Sequence, residues 1–159
     1  MATPEPIPCG LYRTTTPLPG SEEKVLAERL IFYHNHSQQG PPLVLTPHAN
    51  EHNVWEFHER GFLAHDLAWS ATLVALRPEG YYVLDKHLHL GQDEEVLPEK
   101  TLVQLGYGRK GSPILFPSRF RGNAILFSDK GYGFDDRVFA ALKPTEFLFP
   151  RPTDRETVH

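Results

Sequence analysis

Cysteine is nearly missing. Cys9 stands alone, so no disulfide can form within the chain, which fits a reducing compartment. No apolar run approaches the roughly 18 residues that span a bilayer, and residues 1–10, MATPEPIPCG, lack the basic start and apolar run of a secretory signal. The expectation is a cytoplasmic protein with no membrane partner. An excess of positive charge is also missing. The net charge is −4; residues 11–80 carry five basic and eight acidic side chains, and residues 81–149 nine of each. Neither half has the basic balance of a duplex nucleic-acid binder. Catalytic patterns are scarce too. Ser70 has no G-x-S-x-G context, Cys9 has no base held against it, and GYGRKG at 106–111 turns into a strand instead of cradling phosphate before a helix. The reading is a protein that is not an enzyme and needs no cofactor.

What the chain does have is fifteen prolines and twelve glycines, which punctuate short strands more readily than helices. It also repeats itself. Residues 94–105, EEVLPEKTLVQL, echo residues 23–34, EKVLAERLIFYH, at a spacing of 71. Glu23, Val25, Leu26 and Glu28 meet Glu94, Val96, Leu97 and Glu99. Further on, at a spacing of 70, Asn53, Phe57 and Gly61 meet Asn123, Phe127 and Gly131. This is the mark of an internal duplication. Each copy, at about 70 residues, is near the lower limit for a self-sufficient core, so the copies are expected to pack on each other.

The resulting organisation is a flexible Pro-rich tail over 1–10, copy one over 11–80, copy two over 81–149, and a flexible tail over 150–159. Each copy reads as a strand, a long acidic-ended loop, a strand, a short turn, two more strands, a short helix and a closing strand. Asp66 and the pair Asp135-Asp136 are the expected helix N-caps, for LAWSATLVAL and RVFAAL. Expected core residues are Val25, Leu30, Phe32, Leu43, Leu45, Phe57 and Leu76, with Val96, Val103, Ile114, Phe116, Phe127 and Leu142 in copy two.

This order of elements resembles the SH3-like small β-barrel of bacterial SH3-like domains, with YYVLDKHLHLGQDEEVLPEKTLVQL similar to its opening and ILFPSRFRGNAILF to its central hairpin. The resemblance covers residues 11–149, twice over. It implies a mainly β fold of two tandem SH3-like barrels, each with a short helical turn. It also implies an adaptor or scaffold role, as a protein-interaction module in a multi-component bacterial system. The tryptophan that opens the third strand of proline-peptide binders has no counterpart here; Pro42 and Pro113 lie near it.

Copy one offers the candidate partner-binding surface. Tyr33 and Trp55 would anchor it, ringed by His48, His52 and Glu51 in a loop over 46–53. The protein partner itself is not named by the sequence. Nucleic acid would instead use the basic and aromatic residues of copy two: Tyr107, Arg109, Lys110, Arg119 and Arg121, with Phe120 between the last two. Nine histidines raise a metal-binding or metalloenzyme alternative. Its pairs His34/His36 and His87/His89 have the i, i+2 spacing that shares one strand face, and His48/His52 in a loop of copy one add another. Neither strand pair is repeated in the other copy, where His34 and His36 meet Leu105 and Tyr107 and where His87 and His89 meet Thr16 and Leu18, and no carboxylate or cysteine completes a ligand set.

Overall fold

The computed structural model describes residues 6–35, 40–90 and 95–148. Strand accounts for 46% of them and helix for 7%, so the chain is mainly β. In the first half, β1 (Gly10–Arg13), β2 (Leu30–His34), β3 (Leu43–Leu45), β4 (Pro47–Glu51), β5 (Val54–Phe57) and β6 (Phe62–Leu63) precede α1 (Leu67–Ser70) and β7 (Val74–Ala75). The second half holds β8 (Gly80–Leu84), β9 (Leu88–His89), β10 (Val96–Leu97), β11 (Leu102–Tyr107), β12 (Pro113–Arg121), β13 (Ala124–Phe127) and β14 (Tyr132–Gly133). These lead into a 3-10 turn, Asp136–Ala141, and the closing strand β15 (Leu142–Leu148).

Every strand pair is antiparallel. One sheet runs β6-β3-β2-β1-β7. The other runs β14-β12-β11-β8-β15, with β13 on the distal end of β12. The ribbons β4–β5 and β9–β10 stand beside them. Both large sheets therefore follow one order, but neither closes: among the described residues β6 does not pair with β7, nor β14 with β15. The barrels expected from the pattern are open sheets here.

Helix starts follow the expected capping. Asp66 Oδ1 accepts from the N–H of Ala68 at 2.9 Å and Trp69 at 3.3 Å, and Asp135 Oδ1 accepts from the N–H of Arg137 at 2.9 Å. The first helix is much shorter than LAWSATLVAL suggests. It ends at Ser70 because Val74 and Ala75 are drawn into the sheet beside Arg13 and Tyr12. Tertiary pairing overrides the local helical pattern.

The halves share local geometry in detail. Tyr12 OH donates to Pro8 O at 2.7 Å, and Tyr82 OH to Pro78 O at 2.6 Å. Each tyrosine follows, by two residues, a glycine with positive φ: Gly10 at 156° and Gly80 at 143°. Glu28 and Lys100, both left-handed, donate their N–H groups to Thr14 O and Leu84 O at 2.9 and 2.7 Å. These matches correct the register read at a spacing of 71. The first strands correspond at 70 (Tyr12 to Tyr82) and the second strands at 72 (Ile31 to Val103, each opposite its tyrosine). A slip of one residue exchanges the two faces of a strand, so Phe32 corresponds to Gln104, not to Val103.

Two clusters form the core. Tyr12, Leu18, Val25, Ile31, Tyr33, Val44, Ala64 and Trp69 pack under α1 within the first half. The larger cluster joins Leu11, Leu30, Phe32, Leu45, Trp55 and Phe57 from the first half to Tyr82, Leu84, Val103, Leu105, Tyr107, Leu115, Val138 and Leu142 from the second. The expected core residues Leu43, Ile114 and Phe127 are half-buried. Val96 is exposed instead, because β10 pairs only with the short β9 and lies outside the large sheet.

Candidate interaction surface

Two hairpins of matching position differ sharply in the apolar surface they present. In the first, β4–β5 turns at His52-Asn53, both with positive φ. Its inner face docks on the second half. Asn53 Nδ2 donates to Gln104 Oε1 at 3.1 Å, and Gln104 Nε2 donates to His52 O at 2.8 Å. The Trp55 indole N–H donates to Tyr107 O at 2.6 Å, and the Trp55 backbone N–H donates to the buried Glu79 carboxylate at 2.9 Å. The Arg109 guanidinium lies over the indole, 4.9 Å from its centroid. Arg13 adds a second tie by forking onto the Asp136 carboxylate, with a further bond to Gly111 O at 3.1 Å.

Trp55 is therefore 9% exposed and Tyr33 fully buried, which corrects their reading as surface anchors. Tyr33 packs edge-on to Tyr12 and donates to Ser70 Oγ at 3.0 Å. Burial raises its phenol pKa despite that bond. Trp55 is drawn into the cluster that spans both halves, and Tyr33 into the first half's own cluster under α1. His48, Glu51 and His52 do lie on the exposed side of the hairpin. The His52 side chain is 3.9 Å from Glu51, and the His48 ring lies tilted against His58 with ring centroids 4.5 Å apart.

The basic-aromatic set of copy two is split in the same way. Tyr107 is buried, its OH donating to Arg77 O at 2.6 Å, and burial drives its pKa far above the usual tyrosine value. Arg109 is taken up by Trp55, and Lys110 borders a cleft beside Arg13 and Asp136. Only Arg119 and Arg121 stand together, on one face of the β12–β13 hairpin, where they pair in register with Leu126 and Ala124. Among the proposed histidine ligands, His34 is half-buried on β2, His87 and His89 are exposed around β9, and His36 lies outside the described residues. Among the described residues no three of His, Cys, Asp and Glu gather where one ion could be held. Cys9 Sγ accepts from the Asn35 N–H at 2.9 Å.

The second hairpin, β12–β13, is bare where the first is buried. Phe120, opposite Ile125 in register, is 79% exposed and Ile125 46%. Leu126 on the other face is exposed as well. Phe120 and Ile125 border a shallow cavity of about 300 Å³ with Leu102, Ser118 and Lys100. Only Phe127 of that face is held, its ring 4.9 Å from Tyr81. Sequence reasoning placed Phe120 only in the basic-aromatic cluster and did not join it with Ile125 as an apolar face. The signal was present in SRFRGNAIL: a turn flanked on both sides by apolar residues, where the facing pair of the first hairpin, Asn50 and Trp55, is a polar residue and a buried one.

No helix among the described residues is long and apolar enough to cross a membrane. No protein-family model, curated protein or solved structure matches this chain.

Proposed function

We propose that this chain is a non-enzymatic protein-interaction module, an adaptor or scaffold made of two tandem SH3-like units related by internal duplication and working in the cytoplasm. The observation that carries the interaction reading is the bare β12–β13 face, with Phe120 and Ile125 exposed beside a shallow cavity that Leu102 also lines. Large rings presented on a rigid hairpin lose little side-chain entropy on binding and make good interface anchors. Support for two units, over residues 11–80 and 81–149, comes from the shared sheet order and from the paired tyrosine–proline and left-handed-turn contacts. The lone Cys9 suits a reducing compartment.

The test is retention of a protein partner from source-cell lysate by the immobilised chain. Phe120→Asp with Ile125→Asp is expected to abolish retention while the circular dichroism spectrum and melting point stay unchanged. Retention that survives both substitutions rules this face out. A second reading is favoured by Arg119 and Arg121 flanking Phe120: single-stranded nucleic acid held by phosphate contacts and base stacking. That reading requires oligonucleotide affinity that falls steeply with salt and is lost in Arg119→Ala with Arg121→Ala.

A further inference from the structure

We infer that the partner of the β12–β13 hairpin is an extended acidic peptide segment, which adds to β13 as one more strand with apolar and acidic residues alternating. The inference deepens the interaction reading above and rests on it. Backbone geometry is the first support. Arg121 and Ala124 flank the two-residue turn, so they exchange hydrogen bonds while the next pair, Phe120 and Ile125, does not. The same alternation reaches the bond from Ser128 N–H to Pro117 O at 2.9 Å. The N–H and C=O groups of Ile125 and Phe127 therefore point away from β12. Among the described residues no strand pairs with that side of β13. Such an edge is a template for a further strand. The first hairpin shows the matching position in use. Trp55, the second residue after its turn as Ile125 is after the other, donates its outward N–H to the Glu79 carboxylate at 2.9 Å.

Side-chain chemistry then names the occupant. Successive residues of a strand face opposite sides, so the hairpin has two unlike faces. On one lie Phe120, Ile125 and Phe127, the first two exposed. On the other lie Arg119 and Arg121, both exposed, opposite Leu126 and the small Ala124. Neither guanidinium has an ion pair or hydrogen bond among the described residues. By contrast, Arg13 and Arg137 are paired with carboxylates, and Arg77 and Arg109 are held by carbonyls and rings. Lys100 and Glu99, which also border the cavity beside Phe120, offset each other in charge. A strand laid along β13 turns every second side chain toward the apolar row. It turns the others toward two uncompensated cations that reach it across Ala124. Alternating apolar and acidic residues satisfy both faces, and charge complementarity of this kind selects the partner. The outward N–H and C=O groups match a second peptide backbone, and a nucleic-acid strand carries no such set.

The probe is a fluorescein-labelled pool of peptides about eight residues long, within the usual length of a strand. Glutamate or aspartate alternates in them with valine, isoleucine, leucine or phenylalanine. The full chain is titrated into the pool and binding is read by fluorescence anisotropy. The acidic pool is expected to bind. A pool N-methylated throughout keeps its side chains but cannot pair with the edge, and its affinity is expected to fall roughly tenfold or more. Arg119→Glu with Arg121→Glu is expected to leave the melting point unchanged and to exchange the preference, rejecting the acidic pool and accepting one with lysine in place of the acids. Phe120→Ser is expected to weaken the acidic pool roughly tenfold. No binding by the acidic pool overturns the inference, as does binding that survives either the charge reversal or the N-methylation. Oligouridylate that binds where the acidic pool does not overturns it in favour of nucleic acid. Failure of the pool, with lysate retention still lost in Phe120→Asp with Ile125→Asp, overturns strand addition and leaves the interaction reading standing. If that retention also survives the two substitutions, both readings fall.

Discussion

Removing the Trp55 ring is expected to destabilise the whole molecule by about 3–5 kcal/mol, the range for deleting a large aromatic from a core. The parts can be weighed separately. The indole packs among residues of both halves. Its N–H bond to Tyr107 O would leave a buried carbonyl unpaired, at a cost of about 1–3 kcal/mol. The Arg109 stack adds about 0.5–1 kcal/mol, because that guanidinium is solvent-exposed. Trp55→Phe keeps most of the ring but loses the bond, so it should fall at roughly a third of the alanine value. Urea unfolding followed by circular dichroism measures both. With a slope of about 2 kcal/mol per molar, Trp55→Ala should move the midpoint down by about 2 M in a single transition, since one core cluster spans both halves. A shift below about 0.5 M, with partner binding lost, would refute the core assignment and return Trp55 to the surface.

Matched glycines should respond unequally. At Gly80 an added Cβ meets Leu148 Cα at 2.7 Å and Phe147 O at 2.8 Å, while at Gly10 its nearest neighbour is Tyr12 Cε2 at 4.0 Å. Both backbones have positive φ, so each alanine costs about 1–3 kcal/mol in strain, and Gly80→Ala should exceed Gly10→Ala in thermal melts because β15 must also shift. Burial raises the phenol pKa of Tyr12, Tyr33, Tyr82 and Tyr107. The native state therefore holds these protons more tightly than the unfolded chain does. Stability should be full below about pH 10 and fall as pH climbs above it. Phenolate absorbance from these four should appear together with loss of near-ultraviolet circular dichroism; gradual ionisation in a still-folded protein would count against their burial. Phe120→Ser, by contrast, should change the unfolding free energy by no more than about 0.5 kcal/mol, and a larger loss would mean that the ring is structural.

Much of the architecture was legible in the sequence. Proline and glycine punctuation gave short strands, the caps at Asp66 and Asp135 were readable from residue type, and the echo of 23–34 in 94–105 pointed to halves of one order. The register was not legible from that echo. The better guide was P-x-G-x-Y, written as Pro8-Cys9-Gly10-Leu11-Tyr12 and again as Pro78-Glu79-Gly80-Tyr81-Tyr82. In it the glycine turns the chain and the tyrosine closes back on the proline carbonyl. The gap between the two strands then differs by two residues. A constant spacing averages this away and flips both faces.

The site was harder to read for a related reason. Trp55 and Ile125 occupy matching hairpins and would look alike in isolation. Only the packing of the first hairpin onto Gln104 and Tyr107 hides one and bares the other. Contacts between the halves are not encoded in local pattern. Tyr107 and Arg109 went the same way, drawn into the junction by Arg77 and Trp55, while Arg119 and Arg121, on the free hairpin, stayed where the sequence suggested. Val96 shows the opposite error. Its apolar side chain matched Val25 in the echo, but Val25 packs under α1 whereas Val96 lies on a two-residue ribbon.

The most direct test of the central claim is hydrogen–deuterium exchange of the full chain, free and bound to the protein it captures. The free β12–β13 face predicts slowed exchange across residues 118–127 on binding, with residues 47–58 unchanged because β4–β5 is already held against the second half. Protection confined to residues 47–58, with 118–127 exchanging as in the free chain, would contradict it.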